Sequence, residues 1–280
     1  MDEIQRIAAF SHHGEGGNPA GVLICDQMPN AKQMLQIAAE VGYSETAFLQ
    51  PQGEGWRIRY FAPEIEIPFC GHATIAAGSA LAQSFGPGNF HLFLNEGEIS
   101  VEANKDENGD YSIALQSPGT HSEEAPEDFI ALVLKHFNLT KDQLDENFPL
   151  RFASGGARHF IMVVKDRKTL TRMEYAFEPV KALMLENDLA TISLIWQEGH
   201  HLFQSRNAFA SGGVYEDPAT GAAAAALAGY LRDIHWPGGN HFEILQGVDM
   251  GCPSHLIVDY TDEKGASIKI SGKTRAISSP

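Results

Sequence analysis

Cys70, Gly71 and His72 place a thiol and an imidazole side by side. They stand where the Pro-punctuated run Phe61-Ala62-Pro63-Glu64-Ile65-Glu66-Ile67-Pro68-Phe69 gives way to Ala73-Thr74-Ile75-Ala76-Ala77-Gly78-Ser79-Ala80-Leu81-Ala82. The small-residue run reads as a buried helix, so the pair falls in its first turn. Unpaired backbone N–H groups and the positive dipole end there favour a bound anion. The expected chemistry is a carboxylate held beside an acid or base. A second stretch of the same kind is Glu216-Asp217-Pro218-Ala219-Thr220-Gly221-Ala222, which runs on through Ala226 to Leu231. The likeness suggests two related halves with facing helix starts and a site in the cleft between them. Taken singly, each Ala-rich run is equally well a good helix packed in a core.

A third candidate is Glu45, within Tyr43-Ser44-Glu45-Thr46-Ala47-Phe48-Leu49, where a helix gives way to an apolar strand. It reads either as a solvated edge residue or as a carboxyl enclosed by Tyr43, Ala47 and Phe48. Enclosure would raise its pKa and let it shuttle a proton near neutrality. Glu45, Cys70, His72 and Asp217, with helix-end donors near Gly71 and Gly221, suffice for moving a proton next to a carboxylate or along a conjugated diene. Other chemistries lack their signatures. The chain has no phosphate loop, no dinucleotide fingerprint, no His-Glu-x-x-His and no Gly-x-Ser-x-Gly. His12-His13 and His200-His201 read as adjacent pairs pointing apart in strands, and Cys70 with His72 lacks the paired spacing of a structural zinc site. Neither a metal nor an organic cofactor is expected.

The elements that position these residues read as α+β, without β-α-β alternation. Strands are expected at Ile4 to Phe10, Gly21 to Cys25 and Trp56 to Phe61, and then at Phe90 to Leu94, Glu98 to Ala103 and Tyr111 to Gln116. The loop Gly14 to Ala20 is either a wide turn or a ligand loop. A helix opens at Pro29-Asn30 and stops at Gly42. Ser117-Pro118-Gly119 and the acidic run to Asp128 read as the joint between halves 1–118 and 119–280, with a last strand that can cross back to the first half. In the second half, helices are expected around Ile130 to Phe137 and Glu178 to Asn187. Strands are expected at Arg151 to Ser154, His159 to Lys165, Ile192 to Trp196, His201 to Phe209, Phe242 to Leu245, His255 to Tyr260 and Ser267 to Ile270.

The chain of 280 residues is 43% hydrophobic and 20% charged, which fits a folded globular protein with room for two cores. Its formal charge of -16 disfavours nucleic acid and anionic membrane surfaces as partners. No run is long enough to span a bilayer, and Met1 to Arg6 lacks a basic-then-apolar leader pattern. Cys25, Cys70 and Cys252 read as free thiols in a reducing cytoplasm.

The sequence resembles the phenazine biosynthesis protein PhzF family, whose fold is similar to diaminopimelate epimerase. The matching segments are Gly17-Asn18-Pro19-Ala20-Gly21-Val22, Tyr43 to Phe48, Phe61-Ala62-Pro63 through Phe69 to Thr74, Glu216 to Gly221, and Gln246-Gly247 to Pro253-Ser254. The resemblance implies two pseudo-symmetric domains, each a β-barrel-like sheet around a central helix. It also implies a homodimer, no cofactor, and an isomerase that shifts a proton on a small cyclic or amino carboxylic acid, as the phenazine enzyme does on 2,3-dihydro-3-hydroxyanthranilate. Carried over by motif, Glu45, His72 and Asp217 are the expected catalytic residues. Asn18, Ser44, Cys70, Gly71, Thr220, Gly221 and Ala222 are expected at the substrate. This chain has Ala222 where many relatives have Ser, and Cys252 where Arg is usual. Both changes weaken the case for the phenazine substrate itself. Two other readings stay open: a racemase or epimerase assisted by Cys70, and a small-acid-binding protein with little catalysis.

Overall fold

The computed structural model describes residues 3–278. The chain forms one unit up to Gln116 together with the segment from Ser271, and a second from Ser117 to Ile270. In the first unit, β1 (Gln5–Ser11) and β2 (Asn18–Ile24) form an antiparallel pair. Helix α1 (Ala31–Val41) starts at Asn30, whose side chain and that of Gln33 cap each other's backbone, and ends at Gly42 with φ of 74°. Met34 and Ala38 bury the inner stripe of α1 against Phe48 and Phe61. The chain continues through β3 (Thr46–Gln52), β4 (Gly55–Phe61), β5 (Glu66–Ile67), α2 (Gly71–Phe85), β6 (Gly88–Phe93), β7 (Glu98–Lys105) and β8 (Tyr111–Gln116).

The second unit contains β9 (His121–Glu124), α3 (Glu127–His136), β10 (Arg151–Ser154), β11 (Arg158–Val164), α4 (Arg167–Thr171) and α5 (Phe177–Glu186). It continues with β12 (Leu189–Gln197), β13 (Leu202–Ala208), β14 (Glu216–Asp217), α6 (Gly221–Asp233), β15 (His241–Gln246) and β16 (Ser254–Asp259). The last strand, β17 (Lys269–Ala276), pairs with β1 and β8. Strands β1, β2, β3, β4, β6, β7, β8 and β17 therefore close a ring in pairing order. A closed ring has no unpaired edge.

Helix α2 packs against β1, β2, β7 and β8 of that ring. It is buried from His72 to Ala82, which only small side chains permit. At Gly78 an added Cβ would lie 2.7 Å from Ile113, so the helix and β8 touch through a missing side chain. The second unit repeats the plan. Helix α6 is buried from Ala223 to Arg232 and packs on β9, β10, β11 and β16. Antiparallel β10–β11, parallel β11–β12, antiparallel β12–β13, parallel β13–β15 and antiparallel β15–β16 mirror the pairings from β1 to β7. The short strand ahead of each central helix also recurs, β5 on β4 and β14 on β13. On the far side of the second sheet, Phe129, Val133, Val180 and Met184 of α3 and α5 form a core with Phe152, Phe160 and Leu194. No described helix is long and apolar enough to cross a membrane.

Several expectations need correction. Alternation of strand, helix and parallel strand is present: β2 and β3 are parallel across α1, β4 and β6 across α2, and the same holds for β11 with β12 and β13 with β15. Because these sheets are mixed, their parallel strands lack the long apolar runs that would betray them. The acidic run after Gly119 contains β9, held by β10, and the last strand is Lys269–Ala276 rather than Ser267 to Ile270. Both are polar strands stabilised by pairing, with little apolar alternation to reveal them. The histidine pairs do not point apart in strands. His12 and His13 lie at a tight turn with ring centroids 4.1 Å apart, and His200 and His201 lie in the connection before β13 at 4.4 Å.

Candidate active site

Glu45 occupies the short link between the Gly42 cap of α1 and the first residue of β3. Its backbone is fixed from β2, because Gly21 N–H donates to the Glu45 carbonyl at 3.1 Å. Gly21 has no side chain for a specific reason: a Cβ there would meet Thr46 Oγ1 at 2.7 Å and Val41 at 3.1 Å. Cys70 is the N-cap residue of α2 and His72 lies in its first turn. The Cys70 carbonyl accepts from Thr74 Oγ1, which is also within 2.7 Å of the buried Tyr60 hydroxyl. The helix start is thus pinned to β4 by a chain of hydroxyl groups.

These supports bring three side chains together. His72 Nε2 is 3.2 Å from Glu45 Oε2, and His72 Nδ1 is 3.4 Å from Cys70 Sγ. Glu45 Oε2 is buried, and its approach to the imidazole lacks the alignment of a full hydrogen bond. Burial acts to raise the Glu45 pKa, but His72, Ser44 and Cys70 outweigh it and hold the carboxyl below its usual value. The expectation of a raised Glu45 pKa is therefore overturned, because enclosure came with an imidazole partner. Burial likewise pulls His72 down, yet Cys70 and Glu45 carry it well above the ordinary imidazole value. Burial pushes the Cys70 thiol up. Within the cluster the carboxyl is thus shifted down while the imidazole and the thiol are shifted up.

Ser44, next to Glu45 in the chain, helps to lower its pKa, and Gly71 stands beside the cluster at the helix start. Nothing lies within 4 Å of where a Gly71 Cβ would be, and no side chain caps the helix, so its first turn has room for a ligand. Asn18 is buried at the start of β2, opposite Ala9. Glu45, Cys70 and His72 each offer one donor atom, all within 4.8 Å of one another, which is a donor set able to hold a metal ion. Cysteine and histidine spacing could not show this, since the third donor comes from the link before β3.

In the second unit, Asp217 ends β14, and Thr220, the N-cap residue of α6, donates its hydroxyl to the Asp217 carboxylate. Gly221 and Ala222 open the helix, again without a side-chain cap. Gln246 organises this corner. Its Nε2 donates to the Asp217 carbonyl at 2.7 Å and lies 3.0 Å from Thr220 Oγ1, while its Oε1 accepts Thr220 N–H at 3.2 Å. The adjacent Gly247, at φ of 73°, sits where a Cβ would be 2.9 Å from the Pro218 carbonyl. Neighbouring Glu216 is buried in an ion pair with Arg206, which also donates to the Thr171 carbonyl at 2.9 Å. Gln246 was visible in the sequence only as part of a motif and Arg206 not at all, because both act by holding other residues.

Repeated sheets around small-residue helices, with an acid–imidazole–thiol cluster at one helix start, are the architecture of the diaminopimelate epimerase-like fold class. The "Phenazine biosynthesis-like protein" family matches residues 7–279, and the chain belongs to that family. The trans-2,3-dihydro-3-hydroxyanthranilate isomerase of Pseudomonas aeruginosa is 30% identical, over 96% of this chain and 95% of that relative. Among solved structures, a PhzF-family protein of Bacillus anthracis superposes with a TM-score of 0.87 at 23% identity, covering 98% of this chain and 96% of that one. A probable proline racemase from Agrobacterium radiobacter shares the fold at a TM-score of 0.64 and 12% identity, over 99% of this chain and 91% of that one.

Proposed function

We propose that this isomerase moves a proton on a small cyclic or amino carboxylic acid without a cofactor, with Glu45 as the base and His72 as the acid. The observation that carries this reading is the ion pair of Glu45 with His72, 3.2 Å apart at the open start of α2. A base must be unprotonated and an acid protonated in the same resting site, and opposite pKa shifts within one pair supply both. Glu45 takes a proton from carbon next to the carboxylate or on a conjugated diene, and the imidazolium of His72 returns one to the new position. The N–H groups of Gly71 and His72 hold the substrate carboxylate, using the helix dipole against the spreading negative charge. We propose a catalytic role for Asp217 as well, as expected from the sequence; Asp217→Asn tests it independently of Glu45, and full turnover in that variant would rule it out. The cyclic substrate named for the Pseudomonas aeruginosa relative supports a cyclic carboxylate.

Turnover of 2,3-dihydro-3-hydroxyanthranilate and a panel of small cyclic and amino acids tests the proposal. Conversion of one of them that is lost in Glu45→Gln, with binding retained, supports it. Full activity in Glu45→Gln rules out Glu45 as the base. A second reading, a racemase assisted by Cys70, is favoured by the 3.4 Å contact of its sulfur with His72. It requires that Cys70→Ser lose turnover as completely as Glu45→Gln; the first reading predicts that Cys70→Ser keeps at least about a tenth of it.

A further inference from the structure

A cavity of about 540 Å³ lies within the second unit, and its lining includes Arg151, Arg232, Lys264, Asp233, Asp262 and Trp236. None of Glu45, Cys70, His72 or Asp217 lines it, so it is separate from the proposed proton-transfer residues. Three cationic side chains face two carboxylates there, in a chain whose formal charge is -16. One carboxylate is already engaged: Asp233 Oδ2 accepts both the backbone N–H and the hydroxyl of Ser122 at 2.8 Å.

The two arginines have no carboxylate partner among the described residues. Arg232 is 92% buried, with 8% of its surface exposed, and donates to Thr120 Oγ1 and, at 3.4 Å, to the carbonyls of Thr261 and Ala266. Among the described residues, the Arg151 guanidinium hydrogen-bonds only to the Ser122 carbonyl, at 3.5 Å. The Nε–H of each guanidinium is buried without a hydrogen-bond partner among the described residues. Buried cations are costly unless an anion or a full set of acceptors meets them. The C-terminal end of α6 offsets part of the charge of Arg232. Arg151 and Lys264 remain as the cations a ligand can reach, and Trp236 supplies a flat apolar wall.

We propose that this cavity binds a small molecule bearing a phosphate or carboxylate group, with the oxyanion between Arg151 and Lys264, Arg232 behind it, and a ring or apolar portion against Trp236. Guanidinium forks suit such oxyanions because they donate in pairs.

Calorimetric titration of the full chain with inorganic phosphate, phenyl phosphate and benzoate tests the proposal. Saturable one-site binding of phenyl phosphate or benzoate is expected, and which of the two binds identifies phosphate or carboxylate as the recognised group. Phenyl phosphate should bind at least about tenfold more tightly than inorganic phosphate if it is the ligand type. Arg151→Met and Lys264→Met should each weaken binding by about tenfold or more, while Glu45→Gln and Asp217→Asn leave it unchanged. Lys264 is on an exposed loop, so that variant reports even if Arg151→Met fails to fold. No saturable binding of any of the three probes, or binding unaltered by Lys264→Met, would overturn the assignment.

Discussion

The imidazole of His72 lies 3.2 Å from the carboxylate of Glu45, a contact that favours the charged form of each against burial, with Cys70 adding to the rise at His72. The depressed Glu45 pKa contributes stability above its unfolded value of about 4.3, lost as pH falls through the folded value. The raised His72 pKa contributes stability below about 6.5, lost as pH rises through the folded value. The pair is therefore fully stabilising between these two limits and tapers outside them. Turnover should follow the folded values, with an acid limb below the usual carboxylate pKa and an alkaline limb above the usual imidazole pKa. In Glu45→Gln the His72 pKa should fall, since burial then acts with less opposition. NMR titration of His72, assigned by comparison with His72→Asn, checks this; an unchanged His72 pKa in Glu45→Gln would break the linkage.

Gly21 sets the position of Glu45 through a backbone hydrogen bond and an absent side chain. Gly21→Ala forces a methyl onto Thr46 and Val41, neither of which has a flexible end to move. A loss of about 1–3 kcal/mol in denaturant unfolding is expected, with a drop in turnover larger than in binding. A variant as stable and as active as the parent would show that the close approach of β2 to β3 does not position the base.

Gln246 holds both ends of the segment from Asp217 to Thr220. Gln246→Leu leaves the Thr220 N–H and the Asp217 carbonyl without this partner, at a cost of about 1–3 kcal/mol. Gln246→Glu can still accept from Thr220 N–H but loses the donation to Asp217, so it should recover part of the stability and little of the activity. Comparing unfolding curves with kcat and KM for both variants separates the two roles.

The buried pair of Arg206 with Glu216 anchors β14 next to Asp217. Removing one partner strands the other charge, so Glu216→Ala should destabilise the fold by about 3–5 kcal/mol. The double variant Arg206→Met with Glu216→Leu should recover much of that loss. A double-mutant cycle by chemical denaturation measures the coupling.

Much of the site was legible because local sequence determines local geometry. Asn30 and Gly42 bound α1, and runs of Ala, Gly, Ser and Thr announced two helices that must be buried. Cys70 and His72 meet because they share one helix start. Their meeting with Glu45 depends on β2 lying parallel to β3, and no spacing in the chain encodes that directly. The same limit explains the sign error for Glu45: burial was foreseeable from Ala47 and Phe48, whereas its imidazole partner was not. Strand β9 and the part of β17 beyond Ile270 lay outside the expected strands, because their polar residues owe their order to neighbours remote in sequence. Gln246 and Arg206 are supports whose effect is visible only once Asp217 is placed.

Solvent deuterium exchange tests the central claim most directly, because it reports proton movement even when no net product accumulates. The protein and Glu45→Gln would be incubated in heavy water with 2,3-dihydro-3-hydroxyanthranilate and the panel of small cyclic and amino carboxylic acids, and the acids read by mass spectrometry. The account predicts deuterium at carbon in at least one acid with the parent protein, and at least about a hundredfold slower incorporation in Glu45→Gln with binding retained. An acid that binds and undergoes no exchange, or exchange that proceeds equally fast in Glu45→Gln, would contradict it.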